Sequence, residues 1–382
     1  MPKLPPPFVS LICDHFDDLP DPRIERTRLH SLVNILVMTL CGVISGADGW
    51  ESLEVFAKSR AEWFRTFLDM PGRTPSADTF RRVLSSLDPK AFEKCFRELI
   101  AGIAGSFQGE VVAIDGKSLR GAIQKAGSTT PLHLVHVWAT SQRLLLSQRA
   151  VGGAYGEVAA TLEMLELLDL RGAIVTTDAN GCTAEMTTAI RAKGADYVLA
   201  LKGNRSRQHS FIVDLFDEAA RAKYVGLATH ESRDEAHGRI EKRVLRVLEP
   251  ASWPAAKRAD WTDRRTAVLI ERTRIVKGKK SLERHYYVSS LPPDPKVHAK
   301  VVRAHWGVEN HLHWALDVTW GEDRRTIRDE VGAQNFALLT RLALMLLRNE
   351  RTDKHGAPTK RKKAAWEPEY LLRVLTAGIS SA

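Results

Sequence analysis

The chain of 382 residues has only four cysteines (Cys13, Cys41, Cys95 and Cys182), with no CxxC pair among them. That scatter speaks against a disulfide framework or a cysteine-built zinc site, and for reduced, mostly buried thiols in a cytosolic protein. Long apolar runs are missing too. The most apolar window, Leu32 to Ser45, is too short to span a bilayer and contains Asn34 and Thr39, so it reads as a core helix and no membrane partner is expected. No basic stretch followed by an apolar signal core opens the chain, so export is not expected. There is no internal repeat and no low-complexity segment.

What is present is the composition of an ordinary globular protein, 44% apolar and 27% charged, long enough for two or three domains with a substantial core. The net charge of +10 and pI near 9.5 favour an acidic partner, nucleic acid before membrane. Residues 348–363 hold seven Lys or Arg against two acids. Within that run Lys360, Arg361, Lys362 and Lys363 are adjacent like charges, expected to repel, stay mobile and neutralise phosphates. The alternative is a solvated tail.

Residues 1–27 are rich in Pro and Asp and read as an extended lead-in. From Leu29 to about Ser106 the pattern is helical, with helices near 30–46, 50–58 and 60–69. Ser76 is placed to cap a helix over Thr79–Leu87, and another begins at Asp88-Pro89. Phe80, Val83, Leu84 and Leu87 share one face of the Ser76-capped helix, leaving Arg81 and Arg82 elsewhere on its surface. This resembles a small helical DNA-binding module; a helical bundle whose arginines only face water is the alternative.

Residues 110–205 alternate strand and helix. Val111–Ile114 reads as a buried strand with Asp115 in or just past it, followed by Gly116, Lys117 and Arg120. Leu132–Thr140 and Arg143–Val151 read as a hairpin, and Val158–Leu170 as a crossover helix. The strand Ala173–Thr177 leads directly into Asp178, a helix spans about 183–193, and Tyr197–Leu201 is a further strand before Lys202. Three strands in hairpin order followed by a βαβ unit imply a mixed α/β sheet. The reading then becomes mainly β over about 225–291 (Val225–His230, Arg243–Glu249, Thr266–Val276, Arg284–Leu291), with loops at Pro250–Asp263 and Lys277–Lys280. Helix returns over Pro295–Thr319, Gln334–Arg348 and Glu369–Leu375.

Two carboxylates held at strand ends of one sheet suit divalent ions, which prefer hard oxygen ligands. Each aspartate taken alone is equally a helix cap or turn residue. Glu309 is the third candidate: on a helix His305, Glu309 and His313 share a face with Leu312 and Leu316 beside them, and an acid on an apolar side is costly unless it meets a cation. A His-rich metal site from His305, His311 and His313, or a core ion pair, are the competing readings.

Six segments carry a resemblance: Ala113-Ile-Asp-Gly-Lys117, Thr177-Asp-Ala-Asn-Gly181, Tyr197–Asn204, His237-Gly-Arg-Ile-Glu241, His305–Trp314 and Gly321-Glu-Asp323. With Pro75-Ser-Ala-Asp-Thr-Phe80 they are similar, in order, to H-repeat-associated (As1-type) insertion-sequence transposases, from about Asp21 to Arg348. The resemblance implies a ribonuclease-H-like mixed sheet with a β-rich insertion (about 225–291) between the second and third acids. With the residue patterns above, this gives a helical N-terminal DNA-binding domain (1–108), a catalytic domain (109–350), and a basic linker with a C-terminal helix (351–382). A DDE triad maps onto Asp115, Asp178 and Glu309.

The implied function is cleavage and strand transfer at the terminal inverted repeats of a bacterial insertion sequence. Two Mg²⁺ (or Mn²⁺) ions are held by the three acids, and double-stranded DNA, both element ends and target, is bound by a homodimer in the nucleoid-associated cytoplasm. Lys117, Lys202, Arg239, Arg303 and His305 are candidate phosphate contacts. Trp306, with Trp314 and Trp320, is a candidate for stacking on an unpaired base, against a plain core role. There is a departure: relatives often carry a Tyr and an Arg before the Glu and a Lys seven after it, whereas here His305 and Leu316 stand four before and seven after. Either Arg303, His305 or Arg324 takes over that grip, or the grip is weaker. A decayed or domesticated DNA-binding protein, or a nonspecific metal-dependent nuclease, are the rival readings.

Overall fold

The computed structural model describes residues 7–123, 130–152, 154–203, 206–236, 238–249 and 261–377. Asn204 and His237 of the motifs above, and residues 250–260 of the Pro250–Asp263 loop, lie outside the described residues.

Helices come first: α1 (Pro7–Phe16), α2 (Leu32–Ser45), α3 (Trp50–Ser59), α4 (Ala61–Phe64), α5 (Ala77–Ser86) and α6 (Pro89–Ile103). The extended lead-in is thus in part a helix. Phe8, Val9, Ile12 and Phe16 recur at three- to four-residue spacing and are buried, Phe16 edge-on to Phe92 of α6. Proline count misled here, because proline sits readily in a first helical turn, as Pro7 does. The caps follow the sequence reading: Ser76 accepts from the Thr79 N–H, and Asp88 accepts from the Lys90 and Ala91 N–H groups. Phe80, Val83, Leu84 and Leu87 are fully buried.

The sheet segment runs β1 (Val111–Ile123), β2 (Pro131–Ala139), β3 (Leu144–Val151), α7 (Ala154–Glu166), β4 (Ile174–Thr177), α8 (Ala184–Ala192), β5 (Asp196–Leu201), α9 (Ser206–Arg221), β6 (Ala228–Ala236), β7 (Arg239–Leu248), β8 (Thr266–Val276) and β9 (Lys279–Ser289). The nine strands form one mixed sheet in the order β3-β2-β1-β4-β5-β9-β8-β7-β6. β1 is antiparallel to β2 and parallel to β4, and β4 is parallel to β5. The β-rich stretch therefore extends the same sheet: β9 pairs antiparallel with β5, Leu199 opposite Val288. α9 escaped the sequence reading, although Ile212 and Phe216, one turn apart, are its buried anchors.

The chain closes with α10 (Pro295–His305), a π-helical segment (Val308–His313), α11 (Trp314–Thr319), α12 (Glu330–Asn349), α13 (Ala357–Trp366) and α14 (Pro368–Thr376). α12 is the axis of the helical half. Fifteen of its 20 residues are buried, and a helix apolar on most sides must be surrounded. It packs on α2, α5, α6, α14 and β3. One hydrophobic core accordingly runs from Phe8 through the sheet to Leu375. Each leucine fully buried there contributes about 1.5–3 kcal/mol.

The basic run departs from expectation. It is not a mobile tail but the helix α13, packed on α2 and α14. Lys360 is buried, and its Nζ donates to the carbonyls of Leu347 and Glu350 and lies 3.5 Å from the Glu350 carboxylate. Arg361 lies over the Trp320 ring at 4.6 Å and donates to the carbonyls of Thr319 and Val43. Lys363 pairs with Asp353 at 3.0 Å. Only Lys362 of the four is exposed. Carbonyls and carboxylates arriving from other elements remove the mutual repulsion that the local sequence implied.

Candidate active site

Asp115 lies inside β1 rather than at its end, and pairs across the sheet with His136 of β2. Gly116 beside it has no room for a side chain: a Cβ there would come within 2.4 Å of His133 Nε2 and 2.8 Å of Glu157 Oε1. The parallel pairing of β1 and β4 sets Ile114 opposite Thr177, so Asp115 and Asp178 follow side by side. Asp178 caps a 3₁₀ turn over Ala179–Gly181 by accepting from the Asn180 N–H at 3.0 Å. Both carboxylates line one small cavity of about 160 Å³, together with Glu157 of α7.

The third acid arrives from the far end of the chain. Glu309 sits in the π-helical segment, exposed rather than on an apolar face as its neighbours suggested. Its Oε2 is 3.0 Å from His313 Nδ1, which is also 3.7 Å from Asp115 Oδ2. Asp115, Glu309 and His313 each present a ligand-capable atom within 4.8 Å of the others. The expected shared face of His305, Glu309 and His313 does not form. α10 ends at His305, the chain re-forms as a π turn, and His305 turns away to Thr176 of β4 at 2.9 Å.

The electrostatics follow from this convergence. Burial pushes the Asp115 carboxyl up to about 6, and the negative charges of Asp178 and Glu309 add to that, against the opposing His313 and the Gly116 N–H. Asp178 is also raised, mainly by burial, with Glu157 contributing and Lys202 opposing. Glu309 is lowered by its hydrogen bond to His313. Asp115 and Asp178, which must be charged against their surroundings, are groups that a cation would relieve. The donor set, hard carboxylate oxygens, fits Mg²⁺ or Mn²⁺.

The expected phosphate contacts divide. Lys117 is buried and held by Asp317 at 2.7 and 2.8 Å, so it lies behind the acids instead of facing a partner. His305 is half-buried, and the loss of solvent around its ring pushes it down to about 4, so at pH 7 it offers no charge to a phosphate. Lys202 is exposed after β5, close enough to act on both Asp178 and His305. Arg303 is exposed and 3.2 Å from Asp234 of β6. Arg239 is exposed at the start of β7, 3.9 Å from Glu241. Arg81 and Arg82 are exposed on α5, both paired with Asp78. Trp306 and Trp314 are exposed, whereas Trp320 is buried under Arg361.

A second feature is a basic cleft that Asn310, next to Glu309 in the chain, helps to line. Arg243, Arg272, Lys300 and Arg303 line this cleft of about 490 Å³ between the outer strands and α10, with Trp306 and Asn310 at its rim. The sequence reading had named Arg303 and Trp306 but not the cleft they share, because its other walls come from β6, β7, β8 and β9. It also missed Glu157, which bonds His133 at 2.5 Å, and the buried His136 and Arg341 behind His313. A histidine on an alternating strand and an arginine inside an apolar helix were the available signals.

Comparison with known proteins adds a lineage. Residues 106–346 match the family described as the transposase DDE domain, and residues 13–100 match its associated region, DDE_Tnp_1-associated. "Putative transposase YncI" of Escherichia coli O157:H7 is 34% identical over 370 residues, covering 96% of this chain and 95% of that protein. The "H repeat-associated putative transposase YhhI" of Escherichia coli K12 is 33% identical over 371 residues, covering 95% and 97%. A piggyBac transposase in a synaptic complex with hairpin DNA aligns at a TM-score of 0.40 and 9% identity, over 98% of this chain and 78% of that one. That likeness is too slight to carry an inference. Family match and relatives agree over nearly the whole length: the chain belongs to the DDE transposases, alongside the H-repeat-associated proteins.

Proposed function

We propose that this protein binds the terminal inverted repeats of its insertion sequence and catalyses metal-dependent DNA strand cleavage and strand transfer. Asp115, Asp178 and Glu309 are the acids of the site, and the protein acts as a homodimer on DNA in the bacterial cytoplasm. The observation that carries this reading is the position of Asp115, which adjoins Asp178 across the β1–β4 pair and Glu309 through His313. An acid with a second carboxylate on either side is a donor set that could hold divalent ions. The strand order β3-β2-β1-β4-β5, with two parallel neighbours at its centre, supports a ribonuclease-H-like catalytic core that β6–β9 widen.

Asp115, Asp178 and Glu309 would hold the ions, Mg²⁺ or Mn²⁺. Bound there, the metal supplies Lewis acidity toward a scissile phosphate and lowers the pKa of an attacking water or 3′-hydroxyl. The chain's own residues supply position. Lys202 stands beside Asp178 as a charge-assisted phosphate donor, and Lys300 and Arg303 line the basic cleft as a track for the strand leaving the acids. Trp306 at that rim has an exposed face for stacking.

The test is incubation of a plasmid carrying the element's ends, and one without them, with Mg²⁺ and with EDTA. End-specific, Mg²⁺-dependent cutting is expected, lost in Asp115→Asn, Asp178→Asn and Glu309→Gln, each of which still binds DNA. Equal cutting of both plasmids would leave a nonspecific nuclease, and no cutting at all a binding protein.

A further inference from the structure

His313 lies close enough to Asp115 and Glu309 to be a third ligand beside them. We propose instead that His313 is a positioning residue. It donates a hydrogen bond to Glu309, in a tautomer dictated by a buried relay that runs from Glu322 through Arg341 and His136. The inference rests on Asp115 and Glu309 being acids of the site.

The direction of the relay follows from what each group can do. Arg341 is wholly buried in α12, bonded through both terminal nitrogens to the Glu322 carboxylate and by Nη1 to the Ala337 carbonyl. Its Nε can only donate, and it stands 3.3 Å from His136 Nε2. That nitrogen must therefore present a lone pair. His136 is itself fully buried, and a ring whose Nε2 must accept from Arg341 cannot be doubly protonated. The one proton of a neutral imidazole then sits on Nδ1. His136 Nδ1 is 3.3 Å from His313 Nε2, and donates to it. His313 Nε2 is thereby the acceptor, and its proton is on Nδ1, aimed at Glu309 Oε2 at 3.0 Å. A nitrogen that carries a proton has no lone pair for a metal.

Doubly protonated His313 would set its Nε2–H against the Nδ1–H of His136, two donors face to face. Either way Nδ1 is a donor. The three elements meet only in the folded chain: β2 brings His136 opposite Asp115, α12 brings Arg341, and the π turn brings His313 and Glu309. Removing such outer partners typically costs about 10- to 100-fold in metal affinity or activity.

The experiment is a long-range ¹H–¹⁵N correlation spectrum of the full chain labelled with ¹⁵N-histidine, without metal and with MgCl₂. His313→Asn identifies the His313 signals. Protonated Nδ1 and bare Nε2 in both states is the expected result. A bare Nδ1 in the metal-free protein, or an Nδ1 that loses its proton on adding Mg²⁺, would overturn the proposal. His136→Gln keeps an acceptor for Arg341 but lacks the Nδ1 donor. It should leave the melting temperature close to wild type, mix the His313 tautomers and lower the kcat for cleavage about tenfold, with KM little changed. An unaltered His313 tautomer in that variant also refutes the relay. The expected spectrum in a protein that never cuts DNA would leave the relay standing and sink the acid assignment.

Discussion

Asp115→Asn tests the electrostatic origin of the site without any DNA. In the folded chain the Asp115 carboxyl is raised from 3.8 to about 6, chiefly by burial and further by Asp178 and Glu309. At 1.36 kcal/mol per pKa unit, holding it ionised costs the folded state about 3 kcal/mol. The sign follows from proton uptake. Between about pH 4 and pH 6 the folded chain binds more protons at this group than the unfolded chain, so stability falls as pH rises through that window. Above it the full cost is present. Asparagine keeps the shape and the acceptor for the Gly116 N–H, which bonds Oδ1 at 3.0 Å, and has no charge to hold. Urea unfolding in EDTA, from pH 4 to pH 8, should show the variant more stable than wild type by about 2–3 kcal/mol at pH 8. That margin should shrink to nothing near pH 4. Added Mg²⁺ should stabilise wild type and not the variant. A variant less stable than wild type at pH 8, or a difference independent of pH, would refute the reasoning.

Lys360→Ala should act on stability and not on DNA. It strips a buried carboxylate, Glu350, of its cation, and breaking such a pair costs about 3 kcal/mol. Urea melts check this, and the slope of log K against log salt for a random duplex should stay unchanged. Lys362→Ala, at the exposed position, should leave the melt unchanged. Arg81→Ala with Arg82→Ala should abolish the preference for terminal repeats over scrambled DNA in fluorescence anisotropy of the full chain, with little change in thermal unfolding, since both side chains are exposed. Retained preference would move specificity off α5.

Much of this protein is written locally. The short apolar runs Val111–Ile114 and Ala173–Val175, the Ser76 and Asp88 caps, and the apolar run 32–45 each depend on neighbours within a few positions, and each formed as read. The order of motifs was enough to state the family, because residue identity at a spacing is a property of the chain alone. What depended on distant partners was not legible. Four adjacent cations read as a mobile tail because their neighbours repel. In the fold Glu350, Asp353, Trp320 and the carbonyls of Leu347 and Thr319 arrive to receive them. Lys117 and His305 looked like phosphate contacts by their place beside the acids, and were turned inward by Asp317 and Thr176. The relay behind His313 needs a strand, a long helix and a π turn to meet, and hydrogen-bond direction is set only once a donor that cannot accept is placed against the ring. Sequence determined which groups the chain has and what each prefers by itself; burial and the partner across the fold decided which of them carry charge, and where that charge points.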